Sequence, residues 1–368
     1  MPLSRRDFCQ LVGAGATLPA LLPPVTTHRA QKDPVGPIRL DSNENPYGPS
    51  PAARAAITAA LTDTGRYPTS EPLIAAIAQS NGVAEANVLL TVGATEGLRL
   101  CARAYTRPDA PLVTGAPSYG AIATATEALG HPVVRVPISP DGSLDLDAML
   151  DGSRGAGLLY LCNPNNPTGT LIGGSALREA MVRLQATSPD TTIVVGEAYH
   201  EYVETPGYES AVSAALQSPR VVVNRTFSKL YALAGLRLGY LIGQEETING
   251  LSVHRVPIGA SVPSIAAGLA VLADEPERIR QRARNTAGRK STERFFRERG
   301  WRFYPAHANY LFVDIGRDFT AFRSACQERG LLIGRHYPPA DTWARLTIGT
   351  PEEMRRALPI FAAVFNQQ

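Results

Sequence analysis

The sequence of 368 residues has few cysteines and histidines, and this scarcity excludes several kinds of site. Its four cysteines are widely separated and include no C-x-x-C pair, and its six histidines form no H-x-x-x-H pair. Disulfide scaffolds and structural zinc sites need such ligands at short, regular spacings. We therefore expect cysteines that are buried as small apolar side chains, and no metal site.

Long apolar runs and an excess of one charge are also lacking. No segment has 18 consecutive apolar residues, which is about the length that a membrane-spanning helix needs. Lys and Arg number 36 against 33 Asp and Glu, a net charge of +3, whereas nucleic-acid-binding domains are strongly basic. With 44% hydrophobic residues the composition is that of a globular protein. We expect no nucleic-acid partner and no stable membrane insertion, and the length favours two domains.

The first 30 residues differ in composition from the rest. Arg5 and Arg6, followed by Phe8, precede an uncharged stretch at 9–27 that is rich in Ala, Leu and Gly. A charged start and a modest apolar region are typical of a signal peptide, and the paired arginines resemble the twin-arginine type. We expect residues 1–30 to direct export to the periplasm, with cleavage near Ala30. A cytoplasmic arm is the alternative.

From residue 37 onward, short β-rich runs alternate with helical patterns, which predicts an α/β fold with a mainly parallel sheet. Most of the runs are almost wholly apolar, as strands buried on both faces are. The predicted strands are 88–92, 112–114, 133–137, 157–162, 192–195, 221–224 and 238–242. Helical patterns include 52–62, 71–80, 96–105, 119–129 and 174–186.

The pattern changes at about residue 264. A long charged helix is predicted at 275–299, followed by strands at 310–314 and 345–348 and a last helix at 351–365. Together these elements predict a smaller α+β domain.

The segment 224–239 is the most informative for chemistry. Lys229 follows a buried strand, hydroxyl groups flank it at Thr226 and Ser228, and Arg237 comes eight residues later. A desolvated lysine amine can form a Schiff base with an aldehyde cofactor. Hydroxyl and guanidinium groups can bind a phosphate. The segment therefore predicts a site for a phosphorylated aldehyde.

Several other short motifs follow predicted strands or occupy turn-rich segments. Gly-Ala-Thr-Glu-Gly at 93–97 follows a strand and begins a helix, whose free N–H groups can bind an anion. Asn-Pro-Asn-Asn-Pro-Thr-Gly at 163–169 follows the strand at 157–162. Further motifs are Asp-Ser-Asn-Glu-Asn-Pro-Tyr-Gly-Pro-Ser at 41–50, Arg-Tyr-Pro at 66–68, Ala-Pro-Ser-Tyr-Gly at 116–120 and Ala-Arg-Leu-Thr-Ile-Gly-Thr at 344–350.

Taken in their order along the chain, these motifs resemble those of the fold-type-I pyridoxal-phosphate (PLP) enzymes, aminotransferase class I/II, and most closely the histidinol-phosphate aminotransferase-like branch. The resemblance extends from about residue 39 to the C-terminus. It implies a large PLP-binding domain at 61–260 with a seven-stranded, mainly parallel sheet, and a small C-terminal domain at 261–368. Segment 37–60 would be an N-terminal arm of the small domain. The resemblance also implies a homodimer that acts on an amino acid and a 2-oxo acid, with PLP as cofactor.

By this resemblance one group of residues contacts the cofactor. Lys229 would hold PLP and move the proton during the reaction. Tyr119 would stack on the ring, and Asn166 and Tyr199 would share its 3-oxygen. The cofactor phosphate would be bound by Ala94, Thr95, Thr226, Ser228 and Arg237.

A second group would contact the substrate or the neighbouring subunit. Arg345 would bind the α-carboxylate, because a planar guanidinium matches a carboxylate. Tyr47 and Gly48 would lie near the bound substrate. Tyr67 would reach the cofactor phosphate of the neighbouring subunit, so that each active site is shared across a dimer.

At position 196 the sequence departs from the family. Gly196 stands where the motif Asp-Glu-Ala-Tyr has the aspartate that keeps the pyridine nitrogen protonated. Glu197 cannot replace it, since neighbouring strand residues point to opposite faces. A protonated pyridine is the stronger electron sink, so we expect a largely unprotonated ring and slow chemistry. We also expect a hole beside Gly196 that a water could fill, and a gain of at least about 10²-fold in turnover for Gly196→Asp.

A second departure follows Gly330. The histidinol-phosphate enzymes place a phosphate-binding arginine four residues after this glycine, but here that position is Gly334 and Arg335 comes one residue later. This shift argues against histidinol phosphate as the substrate, as does an export signal.

Three functions remain open from the sequence. The chain is a transaminase, the leading interpretation, or it performs other PLP chemistry such as decarboxylation, elimination or oxidation. The third is a catalytically weakened or inactive PLP-binding protein, for which Gly196 is the main support.

Overall fold

The computed structural model describes residues 36–255, 257 and 259–367. The predicted signal at 1–30 lies outside this part of the chain. Pro37–Gln368 make up one compact unit.

Eleven strands occur in the described residues. They are β1 Ile38–Leu40, β2 Val88–Thr91, β3 Leu112–Ala116, β4 Val133–Pro137, β5 Leu158–Cys162, β6 Thr192–Gly196, β7 Val221–Thr226, β8 Gly239–Ile242, β9 Tyr310–Asp314, β10 Leu331–Ile333 and β11 Trp343–Thr347.

Twelve α-helices lie between these strands in the same part of the chain. They are α1 Pro51–Ala60, α2 Glu71–Asn81, α3 Ala94–Tyr105, α4 Ala121–Ala128, α5 Leu146–Gly152, α6 Gly174–Thr187, α7 Val212–Gln217, α8 Glu245–Ser252, α9 Val262–Ala273, α10 Glu275–Arg297, α11 Phe319–Glu328 and α12 Pro351–Phe365. Short 3₁₀ turns occur at Leu61–Asp63, Glu85–Asn87, His200–Tyr202 and Ala234–Leu236.

The central sheet has seven strands in the order β2-β8-β7-β6-β5-β3-β4. Strand β8 is antiparallel to both neighbours, and the other pairs are parallel. These are the seven strands that the sequence predicted, with ends shifted by no more than two residues. The predicted α/β class and the mainly parallel sheet are therefore confirmed.

Both faces of this sheet are buried, which explains why its strands are so apolar. In β6 the side chains of Ile193 and Val195 pack into one core cluster, while Val194 packs into another on the opposite face. Tyr160 and Cys162 of β5 share the face of Val194. Because Cys162 pairs with Gly196 across the two strands, position 196 belongs to this same face.

A second, smaller group of strands lies in the C-terminal part. Strands β9 and β11 pair in antiparallel fashion, and β10 pairs in parallel with β1, from the start of the described chain. An aromatic core that includes Phe296, Trp301 and Phe361 packs with Ile38 and Leu40 of β1. The predicted domain bounds at 37–60, 61–260 and 261–368 remain predictions.

The fold brings the predicted motifs to one edge of the central sheet. The segments that follow β2, β5, β6 and β7 all leave the sheet at its carboxyl edge, where open α/β sheets bind their ligands. Among the described residues no helix has the length and apolar character that crossing a membrane requires.

Candidate active site

A cavity of about 440 Å³ opens at the carboxyl edge of the central sheet. Its volume lies in the range usual for small-molecule sites. Ten of the thirteen predicted site residues line it: Ala94, Thr95, Tyr119, Asn166, Tyr199, Thr226, Ser228, Lys229, Arg237 and Arg345.

Lys229 reaches into this cavity from the segment after β7. Its Nζ donates hydrogen bonds to the backbone carbonyls of Ser42 (3.2 Å) and Asn43 (3.0 Å). Burial is the main cause that lowers the pKa of the Lys229 amine to about 8. The positive charges of Arg345 and Arg237 act in the same direction, and the negative charge of Glu44 opposes them. A larger fraction of neutral, nucleophilic amine is therefore present near neutral pH than for an exposed lysine.

One end of the cavity is suited to an anion. Helix α3 begins there, with Ala94 and Thr95 lining the cavity, and its first N–H groups lack partners within the helix. The hydroxyl of Thr226 donates to that of Ser228 at 2.9 Å, and both line the cavity beside the helix terminus. Arg237 adds a guanidinium group to the same wall.

Two glycines allow these groups to approach one another. Gly93, which precedes α3, has φ +72°, and a Cβ there would lie 2.5 Å from Nη2 of Arg237. At Gly239 a Cβ would lie 2.5 Å from the backbone nitrogen of Ala94. At Gly239 the neighbouring atoms belong to the backbone, so a Cβ would clash with groups that cannot turn aside. At Gly93 the positive φ is the conformation that favours glycine.

A hydrogen-bond network joins the other predicted residues. Asn166 donates through Nδ2 to the Tyr199 hydroxyl (3.4 Å) and accepts through Oδ1 from Nη1 of Arg345 (2.9 Å). Asn43 also donates to the Tyr199 hydroxyl, at 3.0 Å. Nη2 of Arg345 donates to the Asp41 carbonyl, while its buried Nε has no partner. This Nε lies beside position 334, where an added Cβ would be 3.2 Å from it, so it does not open into the cavity.

Tyr119 lies in the cavity wall near the start of α3. Its hydroxyl is 3.4 Å from that of Thr95. As an aromatic residue of the cavity lining, Tyr119 is suited to contact with a planar group.

The expected hole beside Gly196 does not exist. A Cβ at this position would lie 2.5 Å from the hydroxyl of Tyr160 and 3.0 Å from its Cε2 atom. The tyrosine side chain extends along the sheet face from β5 and fills the space that a larger residue at 196 would need. The expectation of a water-filled space was therefore wrong. Because of this clash, we no longer expect the full rate gain from Gly196→Asp alone.

Glu197 points away from the cavity, in agreement with the prediction that it cannot replace a carboxylate at 196. Its Oε2 accepts hydrogen bonds from Nε (2.9 Å) and Nη2 (2.8 Å) of Arg225. Its Oε1 accepts from the Ala211 N–H at 2.7 Å. This carboxylate belongs to a buried ion pair of the scaffold.

Three predicted residues do not line the cavity. Tyr47 packs its ring under Arg284, 4.6 Å from the guanidinium carbon, and Gly48 lies beside it in the turn before α1. Tyr67 is 84% exposed. Their roles in substrate binding and across a dimer stay predictions.

Other lining residues were not assigned a role from the sequence. Arg323 and Arg335 are exposed side chains of the C-terminal part that reach the cavity, and Arg335 lies over the ring of Tyr337 at 5.0 Å. The sequence had identified Arg335 as displaced by one residue, but the residue still lines the cavity. Tyr160 lies within an apolar strand and gave no signal that separates it from a core tyrosine.

The residues present fit PLP. The cavity combines a lysine amine of lowered pKa, an anion-binding end with a helix terminus, two hydroxyls and a guanidinium, and an aromatic ring. Within the described part of the chain no group of three His, Cys, Asp or Glu side chains could hold a metal ion.

Comparison with known proteins gives a consistent result. Residues 35–361 match the family model for aminotransferase class I and II. A histidinol-phosphate aminotransferase from Symbiobacterium thermophilum is 37% identical over 338 residues, which cover 90% of this chain and 91% of the relative. An aromatic amino acid aminotransferase from Thermobifida fusca is 32% identical over 346 residues, covering 91% and 94%.

Solved structures agree with the sequence relatives. The structure of histidinol-phosphate aminotransferase from Sinorhizobium meliloti in complex with pyridoxal-5'-phosphate superimposes with a TM-score of 0.81 at 28% identity. The match covers 89% of this chain and 90% of that one.

Proposed function

The chain belongs to the aminotransferase class I and II family and is a PLP-dependent aminotransferase, and from this premise we propose which residues perform the reaction and which substrates it accepts. Bound PLP supplies an aldehyde that captures the substrate amino group and a ring that withdraws electrons from Cα. The Lys229 amine holds the cofactor and, once released, moves the proton from the substrate Cα. Its pKa of about 8 suits both tasks.

The remaining cavity residues orient cofactor and substrate. The α3 terminus, Thr226, Ser228 and Arg237 hold the phosphate group, while Tyr119 contacts the ring. Asn166 and Tyr199 hold the ring oxygen. Arg345 lines the same cavity, and its guanidinium supports the carboxylate-binding role.

The second anionic group of the substrate is our main proposal on specificity. Besides Arg237 and Arg345, the cavity is lined by Arg323 and Arg335 on its exposed side. Two further guanidinium groups favour a donor whose side chain ends in a phosphate or a carboxylate. The observation that carries this proposal is the presence of Arg335 in the cavity wall. It reopens histidinol phosphate as a candidate, and the names of several relatives are in line with it.

The experiment is a donor panel with 2-oxoglutarate as acceptor. Histidinol phosphate, aspartate and phenylalanine are compared for the wild type, Arg335→Ala and Arg323→Ala, with Arg356→Ala on an exposed face of α12 as control. Loss of a charged contact should reduce kcat/KM for the anionic donors about 10-fold and leave phenylalanine unchanged. Equal losses for all three donors would contradict the specificity proposal. Carbon dioxide or peroxide in place of a keto acid would contradict transamination.

We also propose a homodimer with a shared active site. The 84% exposure of Tyr67 supports this, because an aromatic side chain so exposed is suited to contact with a second copy. Analytical ultracentrifugation tests the assembly, and mixing Tyr67→Ala with Lys229→Ala tests whether the site is shared. Recovery of activity in the mixed dimers supports a shared site, and no recovery contradicts it.

Finally, we propose export through residues 1–30. The support is the paired arginines before Phe8 and the uncharged stretch that follows. Expression with a reporter, comparing the wild type with a variant in which Arg5 and Arg6 are both replaced by lysine, tests this. Cytoplasmic retention of both forms would contradict the proposal.

A further inference from the structure

Tyr160 occupies a particular place in the active site. It stands on β5, two residues before Cys162, and its hydroxyl reaches the position where the side chain of residue 196 would begin. Both Tyr160 and Cys162 line the cavity. The end of the sheet is therefore closed by a phenol and a thiol.

The structure of PLP determines which of its ring atoms would lie against Tyr160 and Cys162. In PLP the ring nitrogen lies opposite the carbon that carries the aldehyde. With the aldehyde at Lys229, the phosphate at the α3 terminus and the ring oxygen at Asn166, three substituents fix the orientation of the ring. The nitrogen would then lie on the side away from Lys229, where Tyr160 and Cys162 at the end of β5 line the cavity.

We propose, on the basis of the proposed function, that the Tyr160 hydroxyl is the group that contacts the ring nitrogen and that it donates a hydrogen bond to this atom in its unprotonated form. This arrangement requires glycine at position 196, because any side chain there would displace the Tyr160 phenol. Together, Tyr160 and Gly196 determine how strongly the cofactor ring withdraws electrons from the substrate Cα.

The surroundings of Tyr160 support a neutral contact. Its titratable neighbours are Cys162, Tyr119 and Tyr199. Burial raises the pKa of the Tyr160 phenol well above its usual value, as it raises that of the Cys162 thiol to about 11. Neither group supplies the negative charge that a pyridinium ion would require.

The carboxylates that line the cavity belong to a different wall. Asp41 and Glu44 lie on the segment whose backbone carbonyls accept hydrogen bonds from Lys229. Asn224 of β7, opposite Gly196, donates to the Ala94 carbonyl and does not line the cavity. The hydroxyl donor at the carboxyl ends of β5 and β6 is therefore Tyr160.

The test observes the nitrogen directly. PLP labelled with ¹⁵N in the ring is bound to the wild type, and its NMR signal is recorded from pH 6 to pH 9. We expect the signal of an unprotonated, hydrogen-bonded nitrogen throughout. Tyr160→Phe should move the signal toward that of a free pyridine and weaken PLP binding about 2- to 12-fold, the value of one neutral hydrogen bond. Tyr105→Phe, remote from the cavity, is the matched control.

A double variant tests the role of Gly196. Combining Tyr160→Leu with Gly196→Asp makes room for a carboxylate, which should hold the nitrogen protonated across the same pH range. Failure of this variant to fold leaves the wild-type spectrum as a sufficient test, since that measurement needs no substitution.

The outcomes separate the inference from the proposed function. A protonated nitrogen in the wild type at pH 7, or identical signals for the wild type and Tyr160→Phe, would overturn the inference alone. Peptide mass, compared with Lys229→Ala, shows whether borohydride fixes PLP onto Lys229 of the wild type. If it does not, the roles that we propose for the active-site residues are contradicted, and not only the inference about Tyr160.

Discussion

The buried ion pair between Glu197 and Arg225 offers a quantitative test of how the active-site edge is supported. Their side chains are 1% and 7% exposed, and Arg225 also donates to Asn81 at 2.5 Å and to Ser210 at 2.8 Å. Glu197→Ala would leave the guanidinium buried without its counter-charge. Loss of one partner of such a pair costs about 3–5 kcal/mol. The change lies two residues from Tyr199, and its partner Arg225 immediately precedes Thr226, so the site should loosen as well.

The measurement is urea unfolding of the cofactor-free protein at pH 7 and fixed concentration, followed by circular dichroism. With a slope of about 3 kcal/mol per molar urea, the midpoint should fall by at least about 1 M. The double variant Glu197→Leu with Arg225→Met replaces both charges by apolar groups and should lie near the wild type. A loss below about 1 kcal/mol in Glu197→Ala, or a double variant as unstable as the single one, would refute this reasoning.

The pH dependence of the stability provides a second test of the same ion pair. Burial alone would raise the pKa of Glu197, but Arg225 and the Ala211 N–H outweigh burial and hold that pKa below its usual value. A lowered pKa in the folded state stabilises it above about pH 4.5, and this contribution is lost as the pH falls through the folded value. The stability that the wild type gains over Glu197→Gln from this carboxylate should therefore shrink in acid. A difference that grows in acid would contradict this assignment.

Three further predictions concern the cavity. Amine modification of Lys229 in the cofactor-free protein, followed by peptide mass spectrometry, should have its midpoint near pH 8, because burial and Arg345 lower the pKa of this lysine; a midpoint above 10 would contradict the burial argument. Arg345→Met should move that midpoint upward, since it removes a positive neighbour that disfavours the protonated amine, and a downward shift would show that Arg345 acts otherwise. Gly239→Ala should cost about 1–3 kcal/mol and weaken PLP binding, because its Cβ would lie 2.5 Å from the Ala94 nitrogen. The control for this variant is Gly235→Ala, which meets no atom within 4 Å, and equal losses in the two variants would count against close approach as the cause.

The sequence predicted the central sheet well because its strands are buried on both faces. Runs such as Val221–Thr226 begin with three consecutive valines, and such a run is hard to place anywhere except inside a parallel sheet. Strands β1 and β10 were not predicted. Each has three residues, and each becomes a strand only by pairing with a partner about 290 residues away, a contact that no local pattern encodes.

The site was predicted where residue type and spacing both carry chemistry, and the prediction was incomplete where only packing decides. Lys229 with its flanking hydroxyls has one evident use, and it lies in the cavity. The space beside Gly196 could not be judged from the sequence, because its occupant, Tyr160, comes from a neighbouring strand. Likewise, the one-residue shift of Arg335 argued against a phosphate-binding guanidinium group in the site. The long Arg335 side chain, on an exposed segment, nevertheless lines the cavity.

The hydrogen bonds of Asn43 affect when the active site can form. Its backbone N–H and its Oδ1 both bond to the hydroxyl of Thr347 at 3.0 Å, across 304 residues of sequence, and its carbonyl accepts from Lys229. During synthesis these hydrogen bonds cannot form until β11 has left the ribosome. Contacts of such long range form late, since a large loop must close first. We therefore expect the nascent chain to assemble much of the sheet before its pocket is complete, and to capture the cofactor late in its maturation.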